Sequence, residues 1–529
     1  VFNGRVRAPR RKTGGGIGRR LGGRLAQMKK TARKISLNAV LSARGVGIAA
    51  ALYCALNAAI TLSTGPALAL DDVKLNVLTQ SLEGGYLPDN PPLFEWTLIA
   101  IQQWAGPSLA SFVVAKYLFF CLGAAFTYLA ARAASGEART GAIAAFLLPL
   151  IPQIGLSFHQ TLTHSTALFA AIAFLWFSLL RLERETRIGD YALLGIAIGI
   201  GGLAKYSFVP ALAAALLAAI LRTPLRSALL RRKAAITLIV ALAIASPHLF
   251  WLLSRGADGI AVAHGRLIGE TAHVQRILEG LPALFWATLS FLAPLGVAGL
   301  IAGKGRMAAL SGARTVLLDA AMIALAGLCG AIIVFGISNF QERYAISFLY
   351  PAYLWLIVCL CRRGDFARTA TTLLACSIIA TTAFLSARSL ESLRPGKPFC
   401  ESCRQQIPYD YLRNALAAEI AEGDTLVGFD DHTAGNLRRL FPRARVISSH
   451  QPFYTPPVMP AGRCYFIWST DLSPAPPQVV IAQFNSAALR QAGGVWRRRL
   501  SGEGVPRKTF WTIAVVNRAT PFGADLCRN

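Results

Sequence analysis

Apolar runs of about 18 residues, the length that crosses ~30 Å of hydrocarbon, recur along the first three quarters of the chain. They predict eleven membrane spans, at 46–65, 108–131, 140–157, 162–180, 190–204, 207–221, 234–253, 281–303, 315–337, 344–361 and 369–387. The fifth and sixth are short and meet at "GGLAKYSFVP". Between the first two spans lies a long polar loop, 66–107, with a pattern of its own. "DDVKLNVLTQSLEGG" spaces Val73, Leu75, Val77, Leu78 and Leu82 among polar residues, as in a helix lying on the membrane surface and ended by Gly84-Gly85. Pro91-Pro92 turns the chain, and "LFEWTLIAIQQW" predicts a second interfacial helix with Trp96 and Trp104 at headgroup depth. Beyond residue 388 the period changes. "TLVGF", "ARVISS", "CYFIW" and "FWTIAVV" read as strands and "YDYLRNALAAEIAE" as a helix, predicting a small α/β domain over 388–529.

Composition fits this picture. The 529 residues are 54% hydrophobic and only 15% charged, against about 25% charged in soluble proteins, and mean hydropathy is +0.47. The net charge of +28 would suit a nucleic-acid partner, but its distribution excludes one. Residues 1–44 carry 13 Lys or Arg and no acid, which reads as a disordered cytoplasmic arm facing anionic lipid, spanning 1–45. Met28 opens "MKKTARKIS", a more ordinary start than Val1, so the first 27 residues read as lying upstream of the true start. The apolar run from Val46 lacks a cleavage site before Asp71, which argues against a removed signal peptide.

Alternate short loops hold 16 Lys or Arg, while the opposite set holds only Lys74, Lys205, Arg255, Arg266, Arg276 and Arg343. By the positive-inside rule the N-terminus is cytoplasmic. The first loop and the C-terminal domain then lie outside, in the periplasm of a bacterial inner membrane. Cysteine usage agrees. Six of the ten fall in or at the ends of spans; Cys400, Cys403, Cys464 and Cys527 fall in the outside domain, where an even number fits disulfides. The expected pairs are Cys400 with Cys403 and Cys464 with Cys527; half a zinc site or a redox pair at Cys400-x-x-Cys403 are the alternatives.

The acidic pair that opens the first loop admits a bland reading: Asp71 and Asp72 cap a helix N-terminus. The loop as a whole points elsewhere. An acidic pair, a surface helix and "NPPLFEW" resemble the first outside loop of the GT-C membrane glycosyltransferases of glycosyltransferase family 39. These include protein O-mannosyltransferases and the aminoarabinose and galacturonic acid transferases of lipid A. "GIGGLAKYSFVP" resembles that family's Lys-bearing span junction, "FQERYAISFLYP" its Arg-aromatic-Pro segment, and "AGNLRRLFP" the C-terminal domain of a bacterial branch. The order of spans matches along 46–387, which the resemblance makes the catalytic module. Two departures stand out. Asn90 occupies a position where many relatives carry Lys, and "SFHQTLTHS", with His159 and His164, stands where relatives often place a second acid.

The resemblance implies an inverting transfer of sugar from a polyprenyl-phosphate donor to an envelope acceptor: lipid, polysaccharide or protein. Asp71 then matches the catalytic base; Asp72 orients the site or, with Asp71, holds a divalent cation. Lys205, with Tyr206 and Arg266, and Arg343 are candidates for the donor phosphate. Lys205 equally fits a residue snorkelling to the interface, and Arg343 a partner of Glu342 or a span-end anchor. His159, His164, Asn90 and Glu95 are candidates for the acceptor side, the histidines fitting hydrogen-bonded packing as well. His264, Arg266, His273 and Arg276 fit a lid over the same face, and His248 and Trp251 a lipid groove or simple packing. The alternative function is a lipid-linked-sugar flippase or a non-catalytic binding protein. A transporter should show internal repeats and acids inside its spans; the chain reads as having neither.

Overall fold

The computed structural model describes residues 37–528 apart from 161, 255–264, 266–267, 269–270, 304–312, 363–364, 394–403, 460–461, 470–482, 485–488 and 497–506. Each apolar run becomes helix. Among the described residues, eight helices are long and apolar enough to cross a membrane, from Ala43–Thr64 to Phe366–Leu393. Two helix pairs bent at a short break, Ala138–Leu150 with Gln153–Gln160 and Phe208–Ile220 with Thr223–Leu229, are long and apolar enough together, which brings the number to ten if each pair is one span; the expected span at 190–204 is the shorter apolar helix Ile188–Ala204. The main boundary shift is at His273–Ile301, which starts eight residues before the expected span and runs through Pro282 and Pro294.

Burial sorts the helices into shells. His164–Arg184 is enclosed by its neighbours, whereas Ala43–Thr64 leaves Ile48, Leu52, Leu56 and Leu62 exposed. Such apolar faces suit lipid and no aqueous solvent. Where helices touch closely, small residues permit it. A Cβ on Gly195 would lie 2.7 Å from the Thr237 carbonyl oxygen, and one on Gly199 2.8 Å from Ile244. This Gly-x-x-x-Gly pair lets Ile188–Ala204 pack directly on Ala234–Ser254.

The reading that spans lack acids fails at two positions. Asp190 starts Ile188–Ala204 and accepts from Arg181 Nε at 2.6 Å; Asp319, in Ala313–Phe335, pairs with Arg222. Both acids are neutralised by an arginine of, or beside, the basic loops at one end of the bundle, so neither stands as a bare charge in hydrocarbon.

At the other end sits the α/β domain. Strands β1 (Thr425–Gly428), β2 (Arg445–Ser448), β3 (Cys464–Ser469), β4 (Arg490–Trp496) and β5 (Arg507–Val516) form one sheet in the order β2-β1-β3-β5-β4. β1 pairs in parallel with β2 and β3; β5 runs antiparallel to β3 and β4. Strand β4 is invisible to pattern reading because "RQAGGVW" has two glycines and an exposed arginine, tolerable at a sheet edge. A disulfide joins Cys464 at the start of β3 to Cys527. Cys400 and Cys403 lie outside the described residues.

The first loop departs most from expectation. Its helix Asp71–Leu78 does not lie on a membrane surface: six of its eight residues are buried. It is held between the helix Asp431–Leu440 of the α/β domain and the helices Leu93–Ala105 and Leu109–Ser135. It also ends at Thr79 rather than at Gly84-Gly85, the Thr79 hydroxyl donating to the Leu75 carbonyl and to Gln102. The polar residues that suggested a wet face instead find protein partners. The second loop helix, Leu93–Ala105, buries Phe94, Glu95, Leu98 and Gln102 and leaves Trp104 exposed.

Candidate active site

A cavity of about 860 Å³ opens where the first loop meets the span junctions. Its mouth is polar, lined by Asp71, Lys74, Asp89, Asn90, His164, Lys205, Tyr206 and Arg343. From there it runs between two spans as an apolar groove, with Ala213 and Leu217 on one wall and Ile323, Gly327 and Ala331 on the other. A ligand with an anionic head and a hydrocarbon tail fits this division.

Asp71 and Asp72 part company. Side chains at i and i+1 of a helix point about 100° apart. Asp71 is exposed to the cavity, while Asp72 is buried and paired with Lys116 at 2.9 Å. Burial pushes the Asp72 carboxyl up, and the Lys116 ammonium opposes it. Lys116, two turns into Leu109–Ser135, escaped pattern reading because one charge does not interrupt an apolar run. Among the described residues no group of three or more His, Cys, Asp or Glu is placed to hold a metal ion, and a carboxylate committed to Lys116 offers little to a cation shared with Asp71.

Among the described residues, three cations reach the mouth. Lys74, one helical turn beyond Asp71, lies 3.5 Å from Asp89. Asp89 stands beside Asn90, on the loop ahead of Pro91-Pro92, and is a wall of the cavity that sequence reasoning passed over. Lys205 ends the helix Ile188–Ala204, donates to Ser165 at 3.0 Å and lies over the Tyr344 ring at 5.4 Å. Arg343 sits in the turn Glu342–Tyr344, and its Nε is buried without a hydrogen-bond partner in the protein. A buried guanidinium N–H left unpaired is costly unless a ligand completes it.

His164 also lines the mouth. Its Nε2 is 3.1 Å from both oxygens of buried Glu95, and its Nδ1 3.2 Å from the Thr163 hydroxyl. His159 is elsewhere. It is buried among Tyr53, at 2.7 Å, and Tyr117, at 3.2 Å, next to Arg388, which donates to Asn57, Thr61 and the His159 carbonyl. Of the proposed lid, His264 and Arg266 fall outside the described residues. His273 and Arg276 engage the backbone of Ile333 and Thr271 at a helix end. His248 hydrogen-bonds Tyr206 at 3.1 Å and the Gly84 carbonyl at 3.0 Å and stacks on Trp251, so this group braces Tyr206 against the first loop.

Residues 89–251 match the family model described as dolichyl-phosphate-mannose-protein mannosyltransferase. The lipopolysaccharide core galacturonosyltransferase RgtB of Rhizobium johnstonii is 29% identical over 432 residues, covering 79% of this chain and 85% of the relative. RgtA of the same organism, also a lipopolysaccharide core galacturonosyltransferase, is 27% identical over 471 residues, covering 84% and 91%. The crystal structure of ArnT from Cupriavidus metallidurans bound to undecaprenyl phosphate superposes with a TM-score of 0.58 at 13% identity, covering 91% of this chain and all of that one. The architecture is the GT-C membrane fold.

Proposed function

We propose that this chain, a membrane glycosyltransferase with the GT-C fold, moves galacturonic acid from a polyprenyl-phosphate donor to a sugar hydroxyl of the lipopolysaccharide core. The observation that carries the reading is the single cavity that joins Asp71, Lys205 and Arg343 at a polar mouth above an apolar groove. The prenyl tail occupies the groove, as the lipid ligand of the ArnT structure makes natural. The acceptor hydroxyl oxygen attacks C1 of the sugar from the face opposite the phosphate. Its proton passes to Asp71, the C1–O bond to phosphate breaks, and polyprenyl phosphate leaves with the electron pair, inverting C1. The charge that grows on the leaving phosphate meets Lys205 and Arg343, fixed in place before the reaction. The third cation, Lys74, suits a donor with a second anionic group, the carboxylate of a uronic acid, as does the activity for which RgtA and RgtB are named. His164, held by Glu95, lines the acceptor side. The excess of Lys and Arg in the opposite loops supports a periplasmic placement for the cavity and the α/β domain.

The test is transfer by purified protein from polyprenyl-phosphate galacturonate and, in parallel, from polyprenyl-phosphate galactose, to lipopolysaccharide core. We expect transfer from the uronate donor. Asp71→Asn keeps size and hydrogen bonding but cannot take the proton, so turnover should fall about 10²–10⁴-fold with donor binding retained. If the galactose donor alone is used, the sugar is wrong and the mechanism stands; near-normal turnover of Asp71→Asn removes Asp71 from the mechanism.

A further inference from the structure

We infer that the α/β domain is a working part of the transferase: its helix Asp431–Leu440 clamps the first loop and so aims Asp71 into the cavity, with Asn436 as the central positioning residue. This rests on the assignment of Asp71 as the base.

The clamp grips the loop at three levels. Ahead of the loop helix, the Asn436 amide meets both polar groups of Leu68: the Leu68 N–H donates to Oδ1 at 2.9 Å and Nδ2 donates to the Leu68 carbonyl at 3.1 Å. Asn436 and Leu68 are both wholly buried. In the middle, Gly435 lies directly on Val73. A Cβ there would be 2.3 Å from the Val73 carbonyl oxygen, so only glycine permits this approach, and the Gly435 carbonyl accepts from Asn76 at 2.8 Å. Beyond the end, Arg438 donates to the Thr79 carbonyl at 2.7 Å and reaches Gln102 at 3.3 Å, placing a cation where the helix dipole favours one. The three residues come from one segment, "AGNLRRLFP", whose chemistry the cavity itself does not use.

What the clamp restrains is a strained backbone. Leu70 has φ 57° and ψ −129°, a conformation that side-chain-bearing residues seldom adopt, and it immediately precedes Asp71. Left alone, the Leu68–Asp71 segment would relax and rotate the start of the loop helix. Two anchors prevent it: Asn436 on Leu68 before the strained residue, and Lys116 on Asp72 after it. With one face of the loop helix committed to the membrane bundle and another to the domain, Asp71 and Lys74 are left on the face that looks into the cavity.

The test compares full-length Asn436→Ala, Gly435→Ala and Val427→Ala in detergent or nanodiscs, each corrected for folded protein. Val427 of β1 packs in a core cluster of the domain that holds no first-loop residue and serves as the control for simple destabilisation. A misplacement of about 1 Å can cost ~10²-fold in rate, so Asn436→Ala should lower kcat by one to two orders of magnitude. Its affinity for undecaprenyl phosphate should stay within a few-fold. Val427→Ala should lower the thermal midpoint without changing kcat per folded molecule. Because Asn436 acts through Asp71, adding Asn436→Ala to Asp71→Asn should cost nothing further. The inference is overturned if Asn436→Ala and Gly435→Ala turn over normally, or if the loss in Asn436→Ala is matched by Val427→Ala or persists undiminished in the Asp71→Asn background. An active Asp71→Asn would refute the base assignment instead, a result distinguishable from failure of the clamp.

Discussion

A carboxylate that is to take a proton from an acceptor must be reachable, and one that is to hold a loop in place need not be. Asp71 and Asp72 divide those roles because helix geometry turns them apart. The Asp72–Lys116 pair is buried on both sides, so removing one partner strands the other. Lys116→Met should cost ~3–5 kcal/mol of stability, read as a lower thermal midpoint, and adding Asp72→Asn should recover much of it. If the single and double variants melt alike, the pair is not coupled. The cations of the mouth predict a different signature. Each charged hydrogen bond to phosphate is worth ~1.5–3 kcal/mol, so Lys205→Ala and Arg343→Ala should each weaken undecaprenyl phosphate binding by roughly ten- to a hundredfold. Competition binding measures this; unchanged affinity in both would exclude them from the phosphate site.

At the level of elements, the site depends on how closely helices approach. Ile188–Ala204 delivers Lys205 just beyond its last turn, and its depth and tilt are set by Gly195 and Gly199 against Ala234–Ser254. A larger residue must push the two helices apart, at ~1–3 kcal/mol or more for an overpacked contact. Gly199→Leu should therefore lose folded yield and donor binding together. Gly202→Ala, one turn on and with open space at its Cβ, should behave as wild type. Equal behaviour of the two would show that the interface does not place Lys205. The loop helix Asp71–Leu78 makes the same point from the other side. At eight residues it is too short to be stable alone, and its position is fixed entirely by what it touches.

For the molecule as a whole, a covalent tie and a sidedness go together. The Cys464–Cys527 disulfide joins two elements of the α/β domain across 63 residues of sequence, and such a bond persists where the compartment is oxidising. Cys464 and Cys527 should resist thiol reagents in intact protein until reduced. Replacing both by serine should cost ~2–5 kcal/mol in the domain, and a periplasm-dependent reporter fused after residue 529 should be active. Free thiols at both positions together with an inactive reporter would place the domain on the other side of the membrane.

Hydrophobic period and loop charge determine much by themselves, because spanning a bilayer demands long apolar runs and lipid surfaces discriminate charge locally. Eight of the eleven expected spans, ten counting the bent helix pairs, and the α/β domain were legible in that way; the candidates Asp71, Lys205, Tyr206 and Arg343 rested on the family resemblance and the chemistry it implies, and the structure gathers those four around one cavity. Other features depend on partners distant in sequence. Nothing near Asp72 announces Lys116, 44 residues on. Nothing near Leu68 announces Asn436, 368 residues on. His159 and His164 sit in one short stretch, yet one is sealed among tyrosines and the other faces the cavity. The polar face of the first-loop helix looked made for water, since a local pattern records that a side chain is polar and not what it will meet. Only the folded chain, by laying a domain helix across that face, turned a surface segment into a buried mount for Asp71.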